Sequence, residues 1–178
     1  MALLILGLCL FLIPHQLKAY APGLRTNLLA RMGENTFKGV YSLIAALGLM
    51  LVIMGYRSAD YVWLWQPLPG SPVVTHALML FAVALLMAPK LPNSWGKVVQ
   101  HPMLLGIMLW AIAHLWSNGH LKALLLFGGF LLYALSNAWQ QDWHKPVKPV
   151  ALWQNFLWLL LSVLAYGVIR YIHVLIAK

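Results

Sequence analysis

Residues 39 to 56 read GVYSLIAALGLMLVIMGY, an unbroken apolar run without a charged side chain. A helix that crosses the roughly 30 Å hydrocarbon core of a bilayer needs about 20 such residues, and about 17 to 25 is the usual range. The run is continuous rather than alternating, and an open sheet facing lipid would leave its backbone groups unpaired. This stretch therefore predicts a transmembrane helix.

The composition of the whole chain extends this prediction. Of its 178 residues, 62% are hydrophobic and only 8% are charged, whereas a soluble domain carries about a quarter charged residues. We therefore predict one domain over residues 1–178, an all-α integral membrane bundle of about six transmembrane helices in contact with the lipid bilayer. The predicted spans are residues 2–17, 39–56, 73–88, 98–116, 123–139 and 152–177. We expect the first span to be retained, because no basic residue precedes it and no small-x-small cleavage site follows it.

The basic residues predict an orientation rather than nucleic-acid binding. The net charge is +9, but the Lys and Arg residues stand singly between apolar runs and form no cluster beside aromatic residues. Eight of them fall in the first, third and fifth segments between spans: Lys18, Arg25, Arg31, Lys38, Lys90, Lys97, Lys145 and Lys148. The opposite side carries Arg57, Lys122 and Lys178, with Arg170 inside the last span. The excess predicts that the first side is cytoplasmic and that both termini lie outside.

The segment before Lys38 also predicts a short surface helix.

Histidines in the spans are the candidate functional residues. An ionisable group inside a membrane is costly, so it suggests a function. Four of the seven histidines lie within spans or at their ends: His15, His76, His101 and His114. We expect His120 and His144, in loops, to be solvated, and His173 to lie at the outer interface beside Arg170.

Imidazole ligands would have to come from different helices. His101 and His114 are 13 residues apart on one predicted helix, which separates them by about 20 Å at 1.5 Å per residue. Neutral imidazole suits haem iron and borderline metals, and the chain offers few carboxylates for a hard cation. Judged by depth in the bilayer, the matching pairs are His15 with His101 and His76 with His114. Any one of these rings could instead bond a backbone carbonyl, but the set of four favours an iron site.

Several segments together resemble a known family. They are QHPMLLG (100–106), LWAIAHL (109–115), LLLFGGF (124–130), KGVYSL (38–43), His15 followed by PGLR (22–25), and Leu64-Trp65 followed by His76. This combination, which covers nearly the whole chain, resembles the NnrU family of bacterial membrane proteins. The resemblance implies a place in the bacterial inner membrane, with both termini periplasmic by the charge count, and a link to nitrite and nitric oxide metabolism.

The family is in turn similar to the plastid ζ-carotene isomerases, integral membrane proteins that use haem b. That similarity implies His15 and His114 as the axial ligands of a haem b iron, and it matches His101 to the histidine of an Arg-His-Pro motif. The alternative cysteine ligand of the isomerases falls on Ala111, which cannot coordinate a metal. The resemblance thus implies a haem-binding protein, either an isomerase-like redox enzyme or a factor in nitrogen-oxide metabolism. An apolar small-molecule substrate and a membrane redox partner are the expected partners.

Two other functions remain open from the sequence. His101-Pro102-x-x-x-Gly106 also resembles an element of membrane methyltransferases and sterol reductases, although Gln100 replaces the arginine that would supply a bidentate donor. A non-enzymatic factor that delivers haem or metal, or assists assembly, would need the same imidazoles. The sequence contains no Gly-rich phosphate loop, His-Glu-x-x-His element or Ser/His/Asp arrangement, so it leaves open whether the chain is an enzyme.

Overall fold

The computed structural model of this chain describes residues 1–67, 69–94, 101–140 and 150–176. In these ranges every extended regular element is a helix, and the one β feature is an isolated bridge between Trp63 and His120. The helices are α1 (Ala2–Tyr20), α2 (Pro22–Met32), α3 (Glu34–Ser58), α4 (Ser71–Met87), α5 (Pro102–Ser117), α6 (Leu121–Trp139) and α7 (Leu152–Ile176). The all-α prediction is confirmed, and α2 confirms the short helix between the first two predicted spans.

Every predicted span coincides with a helix, but the helices differ in length. Four of them, α1, α3, α6 and α7, are long and apolar enough to cross a membrane. The apolar helices α4 and α5 have 17 and 16 residues, which makes them about 26 and 24 Å long, less than a bilayer core of about 30 Å. The chain therefore has the helices of a membrane protein, while six crossings remain a prediction. Residues 98–100 and 177 of the predicted spans lie outside the described residues.

The chain forms two compact units. Unit 1 consists of Met1–Gln66 and Asn118–Tyr133, and unit 2 consists of Pro67–Ser117 and Ala134–Lys178. Unit 1 thus holds α1 to α3 and most of α6, and unit 2 holds α4, α5, α7 and the end of α6.

Glycines bring α1 and α3 into backbone contact in unit 1. A Cβ atom at Gly48 would lie 2.7 Å from the backbone nitrogen of Phe11, and one at Gly55 would lie 2.6 Å from the Cα atom of Leu4. Small residues that let backbones approach are a principal means of helix association in lipid, where burying apolar surface gives little advantage. The contact also buries Leu4 and Val52 in a small apolar core.

In unit 2, α4 runs antiparallel to both α5 and α7. At one end Thr75 of α4 donates a hydrogen bond to the carbonyl of Ala113 in α5 at 3.1 Å. Further along α4, the indole N–H of Trp158 in α7 donates to the carbonyl of Ala84 at 3.0 Å, and the Trp158 side chain is only 2% exposed. Because α4 packs against both partners, it brings residues of α5 and α7 together.

Candidate functional site

The four predicted histidines are divided between the two units. His15 belongs to unit 1, and His76, His101 and His114 belong to unit 2. The pairings of His15 with His114 or with His101 join the two units and stay predictions, so each ring is described within its own unit.

His114 meets a second imidazole in unit 2, that of His173 in α7. The two ring centroids are 6.3 Å apart and the ring planes are inclined at 58°. Nδ1 of His114 lies 2.8 Å from the carbonyl oxygen of Trp110, one turn earlier in α5. Because a carbonyl can only accept, Nδ1 carries the proton and the neutral ring has its lone pair on Nε2, the atom that a metal would bind.

His173 was expected only at the interface, and a signal in α7 could have revealed it. Asn155, Trp158, Ser162, Tyr166 and His173 recur at spacings of three, four, four and seven residues, which places them on one face of a helix. Three of them bond to other segments of unit 2: Asn155 to Ser94, Trp158 to Ala84 and Tyr166 to His76. A polar stripe at helical spacing thus marks the face of α7 that contacts other segments of unit 2, although His173 itself, in the last turn, is exposed.

His76 lies at the same end of unit 2 as His114. It follows Thr75, whose hydroxyl bonds the carbonyl of Ala113 and also contacts the hydroxyl of Ser117. The Nδ1 atom of His76 is 2.9 Å from the hydroxyl oxygen of Tyr166. The predicted pairing of His76 with His114 therefore joins residues of similar depth, but in the structure each of these two rings contacts a different residue of α7.

His101 immediately precedes α5, and its carbonyl accepts a hydrogen bond from the N–H of Leu105 at 3.2 Å. Gly106, the glycine of the methyltransferase-like element, packs against α4. A Cβ atom there would lie 2.9 Å from Cγ of Leu86 and 3.0 Å from the carbonyl oxygen of Ala82. Helix packing therefore explains this glycine without a nucleotide-like cofactor. Gln100 lies outside the described residues.

His15 has the same local geometry as His114. Its Nδ1 atom lies 2.5 Å from the carbonyl oxygen of Phe11, one turn earlier in α1, so the lone pair of the neutral ring is again on Nε2. The ring stacks on Phe11 with centroids 4.6 Å apart, and the Tyr41 and Tyr133 ring centroids lie 5.2 and 6.3 Å away.

A cavity of about 330 Å³ opens beside His15, among α1, α2 and α3. Its walls are Pro14, His15, Leu17, Lys18, Arg25, Phe37, Lys38, Tyr41 and Ser42. We call this space the basic cavity, because three of its nine lining side chains are cationic.

The other end of unit 1 corrects the expectation for His120. His120, expected to be solvated, is only 3% exposed, and its ring lies among those of Tyr56, Tyr61 and Trp63. Its Nδ1 atom accepts a hydrogen bond from the N–H of Ala123 at 3.1 Å and so caps α6. Burial lowers the pKa of His120, and the nearby cation of Lys122 lowers it further. His144 lies outside the described residues.

Lys122, which the charge count placed on the outer side, is 4% exposed in the first turn of α6. Its ammonium donates to the carbonyl of Ala59 at 3.2 Å and lies 3.6 Å from the ring centroid of Tyr61. A carbonyl and an aromatic face thus take the place of water around this charge.

Among the described residues, no three His, Cys, Asp or Glu side chains are grouped as ligands of a metal ion. The described part of the chain therefore offers pairs of imidazoles rather than a metal cage. Such pairs suit a metal whose remaining ligands come from a cofactor.

Comparison with known proteins agrees with the resemblance found in the sequence. The model of a family described as NnrU protein matches residues 3–178. No curated protein and no solved structure matches the chain.

Proposed function

We infer the function of this chain from the premise that it belongs to the NnrU family, and we propose that it is a haem-binding integral membrane protein. The observation that carries this proposal is the meeting of the His114 and His173 imidazoles in unit 2. Imidazoles contributed by separate helices could together hold the iron of a haem, which histidine commonly binds.

The geometry of this pair fits two ligands of one metal. Two rings that would hold one metal must lie near each other without being in direct contact. The observed separation is 6.3 Å. The bond to the carbonyl of Trp110 orients the His114 ring and leaves Nε2 as its ligand atom, which is the usual arrangement for histidine ligands. We therefore propose His114 and His173 as the ligand pair.

His15 is the alternative partner of His114, implied by the resemblance to the isomerases. The bond from its Nδ1 to the carbonyl of Phe11 leaves Nε2 as the nitrogen that would bind a metal, as in His114. The other two candidates are not ligands in this proposal. His76 is bonded to Tyr166, and His101 immediately precedes α5.

A bound haem b would supply a one-electron redox centre. The residues of this chain would hold it in an apolar setting, away from bulk water. Such a centre suits either of the activities that the resemblance implies, isomerase-like redox chemistry on an apolar substrate or a role in nitrite and nitric oxide metabolism. We further propose that all six apolar helices cross the bacterial inner membrane and that both termini are periplasmic.

The test is the absorption spectrum of the protein after expression with ample haem and purification in detergent. We expect a Soret band with the features of low-spin iron that has two histidine ligands. His114→Ala and His173→Ala should each lose the low-spin features, and free imidazole should restore them in His173→Gly. His144→Ala, which changes a histidine that the sequence places in a loop, is the matched control.

Two results would count against the proposal in different ways. If the unsubstituted protein shows no Soret band, the haem function falls. If His173→Ala keeps the low-spin spectrum while His15→Ala loses it, haem binding stands and the ligand pair is the one implied by the resemblance.

A further inference from the structure

We propose that the basic cavity of unit 1 binds the phosphate of an anionic membrane phospholipid. Its volume is about 330 Å³, near the lower end of the roughly 300–1,000 Å³ found for ligand sites. It lies where α1 ends and α3 begins, so the site is at one end of two membrane-type helices. A headgroup-sized ligand suits this volume and position.

The cavity carries more positive than negative charge. Lys18, Arg25 and Lys38 line it, and the one nearby carboxylate among the described residues is that of Glu34. Glu34 contacts the ammonium of Lys38 at 2.6 Å and also interacts electrostatically with Arg25. Three cations against one carboxylate leave an excess of positive charge for an anion to neutralise.

The donors around the cavity match a phosphate. The guanidinium of Arg25 can bind two phosphate oxygens at once, and its carbon lies 5.9 Å from the ring centroid of Phe37, which helps to orient it. Tyr41 and Ser42 add hydroxyl groups to the same wall. The set combines charge with directional hydrogen-bond donors.

The surroundings favour a lipid over a free phosphate ion. Ile13 and Leu43, each next in sequence to a lining residue, are 63% and 71% exposed. Further exposed apolar side chains continue along α1 and α3: Leu3, Ile5, Leu6, Leu47 and Met50. Acyl chains attached to a bound headgroup would cover such a surface, whereas inorganic phosphate would leave it bare. The charge count also assigns this end of unit 1 to the cytoplasmic leaflet, where anionic lipids attract basic segments.

The test compares the protein in nanodiscs of phosphatidylcholine alone and of phosphatidylcholine with phosphatidylglycerol. We expect phosphatidylglycerol to raise the Tm, and native mass spectrometry to detect a retained phosphatidylglycerol molecule. Arg25→Gln should weaken retention by about tenfold or more, as expected when hydrogen bonds between charged groups are lost. Arg57→Gln is the matched control, because Arg57 is an exposed arginine in the last turn of α3, at the opposite end of that helix. Lys18→Gln provides a second variant if Arg25→Gln does not fold.

Three results would overturn the proposal. The first is an equal response to phosphatidylglycerol in the Arg25→Gln and Arg57→Gln variants. The second is an equal rise in Tm from inorganic phosphate in phosphatidylcholine alone, which would indicate a site for a soluble anion. The third is loss of the Soret band in Arg25→Gln, which would assign the cavity to the carboxylates of a haem.

Discussion

Replacing Gly55 by alanine would test whether backbone contact holds α1 against α3. The added Cβ atom would lie 2.6 Å from Cα of Leu4 and 2.7 Å from the carbonyl carbon of Leu3. Ordinary van der Waals contact begins at 3.4 Å. Both neighbours are backbone atoms, so the methyl group cannot be accommodated by rotating a side chain, and the helices must move apart by about 1 Å.

The expected cost follows from two opposing effects. Forcing an extra methyl group into a packed contact costs about 1–3 kcal/mol. Alanine favours a helix over glycine by about 1 kcal/mol, so Gly55→Ala should lose about 0–2 kcal/mol of stability overall. Gly39 provides the matched control in the same helix, because nothing lies within 4 Å of a Cβ atom built there. Gly39→Ala should be neutral or stabilise the protein by up to about 1 kcal/mol.

The assay is unfolding of the purified protein in mixed micelles by increasing dodecyl sulfate, followed by tryptophan fluorescence. Because helix propensity enters both variants, the difference between them isolates the cost of the contact, about 1–3 kcal/mol. If Gly55→Ala and Gly39→Ala have equal unfolding free energies, then the α1–α3 contact is not close-packed and this account of unit 1 is wrong.

Three further predictions use the same unfolding assay. Trp158→Phe should lose about 2–3 kcal/mol of stability, because it removes a buried hydrogen bond and leaves a small void. The control, Trp153→Phe at an exposed site of α7, should change stability by less than about 0.5 kcal/mol. Equal effects of the two substitutions would contradict the buried hydrogen bond. Folding lowers the pKa of His120, so the unfolded chain binds a proton on this ring more readily than the folded chain does. The stability of the protein should therefore fall as the pH drops below about 6.5. His120→Asn keeps a capping acceptor without a titrating ring and should flatten that part of the pH profile; an unchanged profile would exclude His120 as its source. Tyr61→Leu should lower stability by about 1–2 kcal/mol, because it removes the aromatic face over Lys122. Tyr61→Phe keeps that face and should lower stability by less than about 0.5 kcal/mol. An equal loss in both variants would show that the phenol hydroxyl matters instead.

The helices could be predicted from the sequence because their signal is local. A run of apolar residues such as 39–56 must satisfy its backbone within itself, whatever surrounds it. The ends were harder to predict, because α3 begins at Glu34, several polar residues before the apolar run. Composition detects the part of a helix that suits lipid and misses a mostly polar first turn such as residues 34–38.

The sites could be predicted only in part, because they depend on contacts distant in sequence. His114 is recognisable as a polar group in an apolar helix, but its neighbour His173 comes from α7. The burial of Lys122 could not be predicted, because nothing near it in sequence shows that Tyr61 and Ala59 will surround its ammonium. Counting charges by segment cannot detect such a cage, and this lysine should carry less weight in the predicted orientation than an exposed one.

Polar side chains satisfy backbone groups where the two short helices, α4 and α5, meet. The last carbonyls of a helix lack a partner within the helix, so another group must bond them where water is scarce. The hydroxyl of Thr75 bonds the carbonyl of Ala113 and contacts Ser117, where α4 begins and α5 ends. His114 lies one turn or less from this junction, whereas α7, with 25 residues, is long enough to continue beyond it. Histidine side chains point towards the N-terminus of their helix, so His173, near the end of α7, reaches back towards His114. The proposed ligand pair thus lies near the end of α5, beside the last turn of α7.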